Sequence, residues 1–266
     1  MNSTVIGQFI PGNSFIHRLD PRTKIIATAL WILILFLTHS VIGFCITLIF
    51  LIITTFSSWI SLPIILRSVK PIIPIVLFTS FFNIIYTSGD VIWSVGILQI
   101  TKQGIEISIF LSLRILLMVM GSSILTFTTS LTDITSGIES LLSPLEKVGV
   151  RISDFSMMIT LAIRFIPTLS EEVQKIKDAQ QARGASFGSK KINQRIKEVL
   201  PILIPLIYSS FRRAFDLTNA IECRCYNQKI KRTKLNPLKY HKGDFFCITI
   251  ILVLLIVIIV IQNKGI

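Results

Sequence analysis

Apolar residues follow two different rhythms along this chain. From Ile25 to Trp59 they run almost without a break, about twice the roughly 20 residues that cross a bilayer, with a polar interruption at Thr38-His39-Ser40. That pattern predicts a hairpin of two membrane spans, with His39 as a polar turn residue. Further apolar runs at Pro71–Thr87, Gly104–Thr126 and Phe245–Ile261 bring the expectation to about five spans. Between Leu131 and Gly243 the rhythm changes, and apolar residues recur on faces. Ile166, Leu169, Val173, Ile176 and Ala179 mark one face, and Leu203, Ile207, Phe211, Phe215 and Thr218 a second, at spacings of three and four. These are amphipathic rods lying along or beneath the membrane. Met157–Ile166 and Val199–Tyr208 are too short to span before charges resume.

The punctuation gives boundaries. Residues 1–23 are polar and turn-rich, with Pro11-Gly12 and then Asp20-Pro21, a capping carboxylate ahead of a proline at the first helical position. No small-residue cleavage site follows the first apolar stretch, so this segment does not read as a secretory signal. Ser61–Pro71, with Arg67 and Lys70, reads as a short loop. Ser88–Gln103, with Gly89-Asp90 and Trp93, reads as another, and Tyr86 and Trp93 suit an interfacial aromatic belt. Gly121-Ser122-Ser123 supplies small residues for close helix packing. Pro144, Gly149, Pro167, Gly184, Gly188, Pro201 and Pro205 break the later region, with Gly184 and Gly188 as stops for the first rod. Glu171 with Lys175, and Arg212 with Asp216, are pairs one turn apart that support the rods. The chain thus reads as all-α and polytopic: residues 1–128 form an amino-terminal segment and four spans, 129–243 a non-spanning helical domain, and 244–266 a last span.

Composition agrees with a membrane protein. The 266 residues are 52% hydrophobic and 15% charged, with mean hydropathy +0.72, too apolar for an ordinary soluble domain. A net charge of +13 could point to nucleic acid, but the basic residues flank apolar runs, which is the signature of topology. Of the 27 Lys and Arg residues, only Lys102, Lys264 and the intramembrane Arg114 avoid the side that carries Arg18 and the rods. The positive-inside rule then places the amino terminus and both rods in the cytoplasm and the carboxyl terminus outside. Arg114 has two readings. It is a polar contact inside the bundle or to a partner subunit, or it pairs locally, with Glu106 as its candidate partner, and snorkels.

Catalytic patterns are absent. No G-x-x-x-x-G-K-[ST] occurs, and the segment from Gly184 through Ser186, Gly188 and Ser189 to Lys190 has the wrong spacing for a phosphate cradle. His17, His39 and His241 are scattered, and no span carries a pair of carboxylates. Cys45 and Cys247 sit in apolar runs, and Cys223 and Cys225 form a C-x-C, neither a disulfide framework nor a zinc pattern. We expect no catalysis, no metal and no cofactor held by this chain. A redox or metal role for the C-x-C is the alternative.

Each rod ends in an arginine between small residues, Ala182-Arg183-Gly184 and Cys223-Arg224-Cys225-Tyr226. A terminal cation suits the negative end of any helix, so one such tip means little. Two tips, with entry residues His17–Lys24, the FTTS segment Phe127–Ser130 and LAIRFIPTLSEE at Leu161–Glu172, resemble the T-component of energy-coupling factor transporters. The resemblance covers most of the chain. It implies a prokaryotic cell-membrane scaffold joining two cytosolic ATP-binding subunits to a small substrate-capturing membrane subunit for vitamin or micronutrient uptake, with ATP held by the partners. It further implies that Ala182, Arg183, Gly184, Cys223, Arg224 and Cys225 contact the ATPases. The second tip departs from the family, which has alanine and glycine where Cys223 and Cys225 stand. A self-contained carrier or channel, or a membrane-anchored interaction protein, is the competing reading.

Overall fold

A computed structural model describes residues 9–95, 98–149, 151–185, 187–188, 191–225 and 238–263. Ser186, Ser189, Lys190, Tyr226 and Lys264, and the side chain of Trp93, lie outside the described set. The described chain is helical apart from one small hairpin, and it divides into two compact units.

The first unit takes residues 1–141 and 238–266. Its elements are α1 (Pro21–Leu37), α2 (Val41–Ser58), α3 (Leu62–Val69), α4 (Ile73–Tyr86), strands β1 (Val91–Val95) and β2 (Leu98–Thr101), α5 (Lys102–Thr128), α6 (Leu131–Leu142) and, after the second unit, α9 (Lys242–Asn263). The longest of these helices, α5, packs against α1, α2, α3 and α4, while α9 closes on α1. Between them lies a core of Trp31, Ile34 and Leu35 from α1, Phe44 and Leu51 from α2, Leu117 from α5, and Ile251, Leu254 and Ile258 from α9.

Gly121 shows why small residues sit in α5. A Cβ at Gly121 would lie 2.1 Å from Trp31 Nε1, and the indole N–H uses that space to donate to Leu117 O at 3.2 Å. Ser123 Oγ donates to Ser68 Oγ at 2.7 Å on the same helix's other side. The predicted cap of α1 also forms, with Asp20 accepting from the Arg22 backbone N–H at 2.9 Å. Asp244, fully buried in α9, extends this junction by accepting from Asp20 N at 2.8 Å and from His241 N at 2.6 Å. One carboxylate therefore caps its own helix and ties it to the start of α1.

Several expectations are corrected. Ser61–Pro71 is not a loop: apolar Leu62, Ile65, Leu66 and Val69 share a face, Pro63 sits in the first turn, and α3 forms with Ile65 and Val69 buried. Helices α3 and α4 meet at a 54° bend, the geometry of a broken span or of a re-entrant loop. Ser88–Gln103 is not loop throughout either. Strands β1 and β2 pair antiparallel, with Val95 opposite Leu98 and an irregularity between Val91 and Trp93, and Gln103 closes the base by donating to Asp90 Oδ2 at 3.0 Å. Alternation was too brief there to separate strand from loop. Of the two readings of Arg114, the polar contact inside the bundle holds and pairing with Glu106 does not. Its guanidinium Nη2 donates to Thr38 O at 2.6 Å and lies 5.9 Å from the Phe44 ring centre, so it caps the carbonyl end of α1.

By length and composition, α2, α5, α7 and α9 can each cross a membrane, and the bent α3–α4 pair makes up to five. At 17 residues α1 is the shorter arm of the expected hairpin, near the lower limit for a span. The presence of α7 in that set differs from the sequence reading, for a reason that belongs to the second unit.

That unit takes residues 142–237. A 3-10 turn, Ser143–Val148, precedes α7 (Ile152–Ala182) and α8 (Ile192–Glu222), each 31 residues long. Both helices run through their prolines, Pro167 in α7 and Pro201 and Pro205 in α8. An interior proline removes a hydrogen bond and costs roughly 3 kcal/mol, yet both helices and their apolar periodicity continue across it. The apolar stretch before Pro167 thus joins the charged rod after it. The resulting α7 is long enough to qualify as a span, although Met157–Ile166 alone is not.

Candidate partner-docking site: the two rod tips

The end of α7 is built by backbone hydrogen bonds. Gly184 N donates to Gln181 O at 2.9 Å and Ala185 N to Gln180 O at 3.0 Å, the paired bonds of a Schellman stop. Gly184 supplies the left-handed backbone this turn requires, at φ +90°. Its predicted role as a stop holds. Gly188, at φ +114°, turns the connection again and donates its N–H to Glu198 Oε2 at 2.9 Å.

The second tip reaches a similar shape without glycine. Cys223 N donates to Asn219 O, Arg224 N to Ile221 O and Cys225 N to Glu222 O, at 2.9, 3.1 and 2.9 Å. Cys225 then takes φ +55°. In both rods, then, the residue directly after the terminal arginine is left-handed: glycine in one, cysteine in the other. The sequence comparison treats Cys225 as a departure, yet its backbone does what the glycine does. A side chain at this φ is strained by roughly 1–2 kcal/mol.

Ala182, Arg183, Gly184, Cys223, Arg224 and Cys225 are all exposed. Among the described residues neither terminal arginine forms an ion pair, and a guanidinium presents a planar fork of donors. All four cysteines are free thiols.

Behind the tips, α7 and α8 are fastened by a contact that sequence reading missed. Glu172 Oε2 accepts from Arg213 Nη2 at 2.7 Å, and its other oxygen, Oε1, accepts from Ser209 Oγ. The pair is partly shielded, with side-chain exposures of 36% for Arg213 and 21% for Glu172. The expected pairs within each rod are absent: no bridge of 4 Å or less links Glu171 to Lys175 or Arg212 to Asp216. The spacing placed each pair on one helix face but said nothing of the other helix, which takes the neighbouring Glu172 and Arg213 instead. From Glu172 to Ala182, α7 continues for roughly 15 Å at about 1.5 Å per residue, and α8 continues for roughly 14 Å from Arg213 to Glu222.

The apolar face of α8 is exposed among the described residues of its own unit. Ile204, Tyr208, Phe211 and Phe215 are exposed by 64%, 72%, 63% and 70%, and no described residue of α8 is fully buried. Such a stripe calls for lipid or protein against it.

Comparison with known proteins decides the family. Residues 12–235 match the family model CbiQ, cobalt transport protein. The chain is 43% identical over 244 residues to the energy-coupling factor transporter transmembrane protein EcfT of Thermosediminibacter oceani, covering 92% of each. It is 41% identical over 259 residues to the protein of that name from Brevibacillus brevis, covering 97% of this chain and 98% of the relative. The corresponding protein of Ruminiclostridium cellulolyticum is 43% identical over 239 residues, 90% of each chain.

The chain belongs to the CbiQ/EcfT family of energy-coupling factor transporter T-components. It is the multi-pass membrane component of such a transporter and works in a complex with partner subunits. A T-component is a transport protein, and the exposed tips and α8 face are surfaces to be assigned among its partners.

Proposed function

We propose that this T-component couples ATP hydrolysis by two cytosolic ATP-binding subunits to uptake of a vitamin or other micronutrient through a separate membrane subunit. The observation that carries the proposal is the matched pair of tips: in each, an exposed arginine ends a 31-residue helix and is followed by a left-handed residue. A guanidinium can bond bidentately to a carboxylate in a groove, and small neighbours let the helix end enter deeply. Ala182, Arg183 and Gly184 would occupy one ATPase and Cys223, Arg224 and Cys225 the other. Closure of the ATPases around ATP would displace the tips, and the stiff rods would carry that displacement toward the membrane subunits. ATP is bound by the partners, and this chain contributes mechanics in place of chemistry. The amino terminus and the tips face the cytoplasm and the carboxyl terminus the outside, as the distribution of Lys and Arg supports.

Purification in mild detergent tests the proposal. The tagged chain should bring down two ATP-binding subunits and one small hydrophobic membrane protein in fixed proportion. A chain that purifies alone and transports alone would be a self-contained carrier, and the proposal would fail.

A further inference from the structure

We propose that Glu172 is a pin that locks α7 and α8 in axial register so that the two tips move together. The inference rests on the coupling role proposed above and assigns a positioning residue to it. The geometry is specific to this purpose. One carboxylate receives two donors from the opposite rod, Arg213 at 2.7 Å and the hydroxyl of Ser209. Those donors are one turn apart on α8, so they bracket Glu172 along that helix's axis.

Two donors one turn apart hold what a single bond would not. A bond of 2.7 Å loses most of its strength beyond about 3.5 Å, so a displacement of about 1 Å along the line of the bond is enough to break it. Sliding toward Arg213 breaks the hydroxyl contact, and sliding toward Ser209 breaks the ion pair. Rotation of either rod carries Glu172 off the face that holds both donors. Among the described residues, this is the only ion pair between α7 and α8.

The position also suits a pin. It stands behind both tips, with arms of roughly 15 and 14 Å ahead of it. With the register held, displacement of one tip is delivered to both rods. With it lost, each ATPase could move its own rod without moving the other.

The test uses the complete transporter in vesicles and reads uptake per ATP hydrolysed. Glu172→Ala should keep both ATPases bound and hydrolysing within twofold of the unmodified complex, while uptake per ATP falls at least fivefold. Exchange of the charges, Glu172→Arg with Arg213→Glu, should restore at least half of that coupling, whereas Arg213→Glu alone should not. A second measurement is independent of where the tips dock: spin labels on Lys177 and Asn219, in a full-length chain whose four cysteines are serine, should give one narrow distance distribution that broadens in Glu172→Ala and narrows again in the exchanged pair. Unchanged uptake per ATP in Glu172→Ala, loss of the ATPases from that variant, or a distance distribution indifferent to it would each overturn the pin. If instead the distribution responds but Arg183→Ala with Arg224→Ala leaves the ATPases bound, the pin stands and the docking proposal fails.

Discussion

Replacing Cys225 with glycine should strengthen the second tip. At φ +55°, Cys225 carries a side chain in a backbone region that disfavours one by roughly 1–2 kcal/mol. Glycine removes that strain and loses about 0.5–1 kcal/mol of backbone entropy in return, leaving a net gain of about 0.5–1 kcal/mol. The gain is local, because the tip is exposed and opens without unfolding the helix behind it. It should therefore appear in hydrogen exchange of the last-turn amides Cys223 and Arg224, slowed by about two- to fivefold in the purified chain. Cys225→Val should do the reverse, since a β-branched residue tolerates this backbone least. Gly184→Ala should loosen the first tip in the same way, its φ being +90°. Uptake by Cys223→Ala with Cys225→Gly should stay near that of the unmodified transporter. Faster exchange in Cys225→Gly would show that the left-handed end does not set the tip, and lost transport with the complex intact would show that the thiols have chemistry of their own.

Three other outcomes are expected. Gly121→Ala should lower stability by about 2–4 kcal/mol, because the new Cβ displaces the Trp31 indole and its bond to Leu117 O; an unchanged thermal midpoint in detergent would contradict the close approach of α1 and α5. In a chain with Cys45 and Cys247 changed to serine, Cys223 and Cys225 should react with a membrane-impermeant thiol reagent in inside-out vesicles and remain unlabelled in intact cells, and labelling from outside would reverse the topology. Cys223→Trp should reduce recovery of the assembled complex on affinity purification, while recovery equal to the unmodified chain would show that small flanks are not required for docking.

Features that depend on local chemistry were legible in the sequence. Asp20-Pro21 announced the start of α1, Gly184 the stop of α7, and Gly121 a close approach, because a cap, a left-handed turn and a missing Cβ are properties of single residues. Apolar run length likewise gave the polytopic class. What failed depended on a partner in space. For Arg114 the sequence left open a contact inside the bundle or pairing with Glu106 along its own helix, and only the fold brings Thr38 O, at the end of α1, to it. Glu171 and Arg212 were paired within their rods, whereas the contact that forms joins their neighbours Glu172 and Arg213 across the rods. Proline was read as breaking the region at Pro167, Pro201 and Pro205, whereas α7 and α8 run through all three, because a local penalty says nothing of the helix on either side of it. In the tip residues, sequence gave identity and the backbone added equivalence: Cys225 looks unlike glycine and is folded like it.

The central claim is that the two arginines hold and drive the ATPases, and it is tested most directly by changing both and following assembly and uptake in reconstituted vesicles. If each guanidinium seats on an ATPase carboxylate as proposed, removing one would leave that carboxylate desolvated and unpaired, a loss of roughly 2–5 kcal/mol at that contact. Arg183→Ala or Arg224→Ala alone should lower ATP-driven uptake more than it lowers retention of the ATPases, since the other tip remains seated. Lysine at either position should rescue poorly, a point charge being unable to match the planar fork. The double Ala variant should release both ATPases and abolish uptake. A double variant that retains both ATPases and transports at the unmodified rate would mean that the rods are ordinary solvated helices.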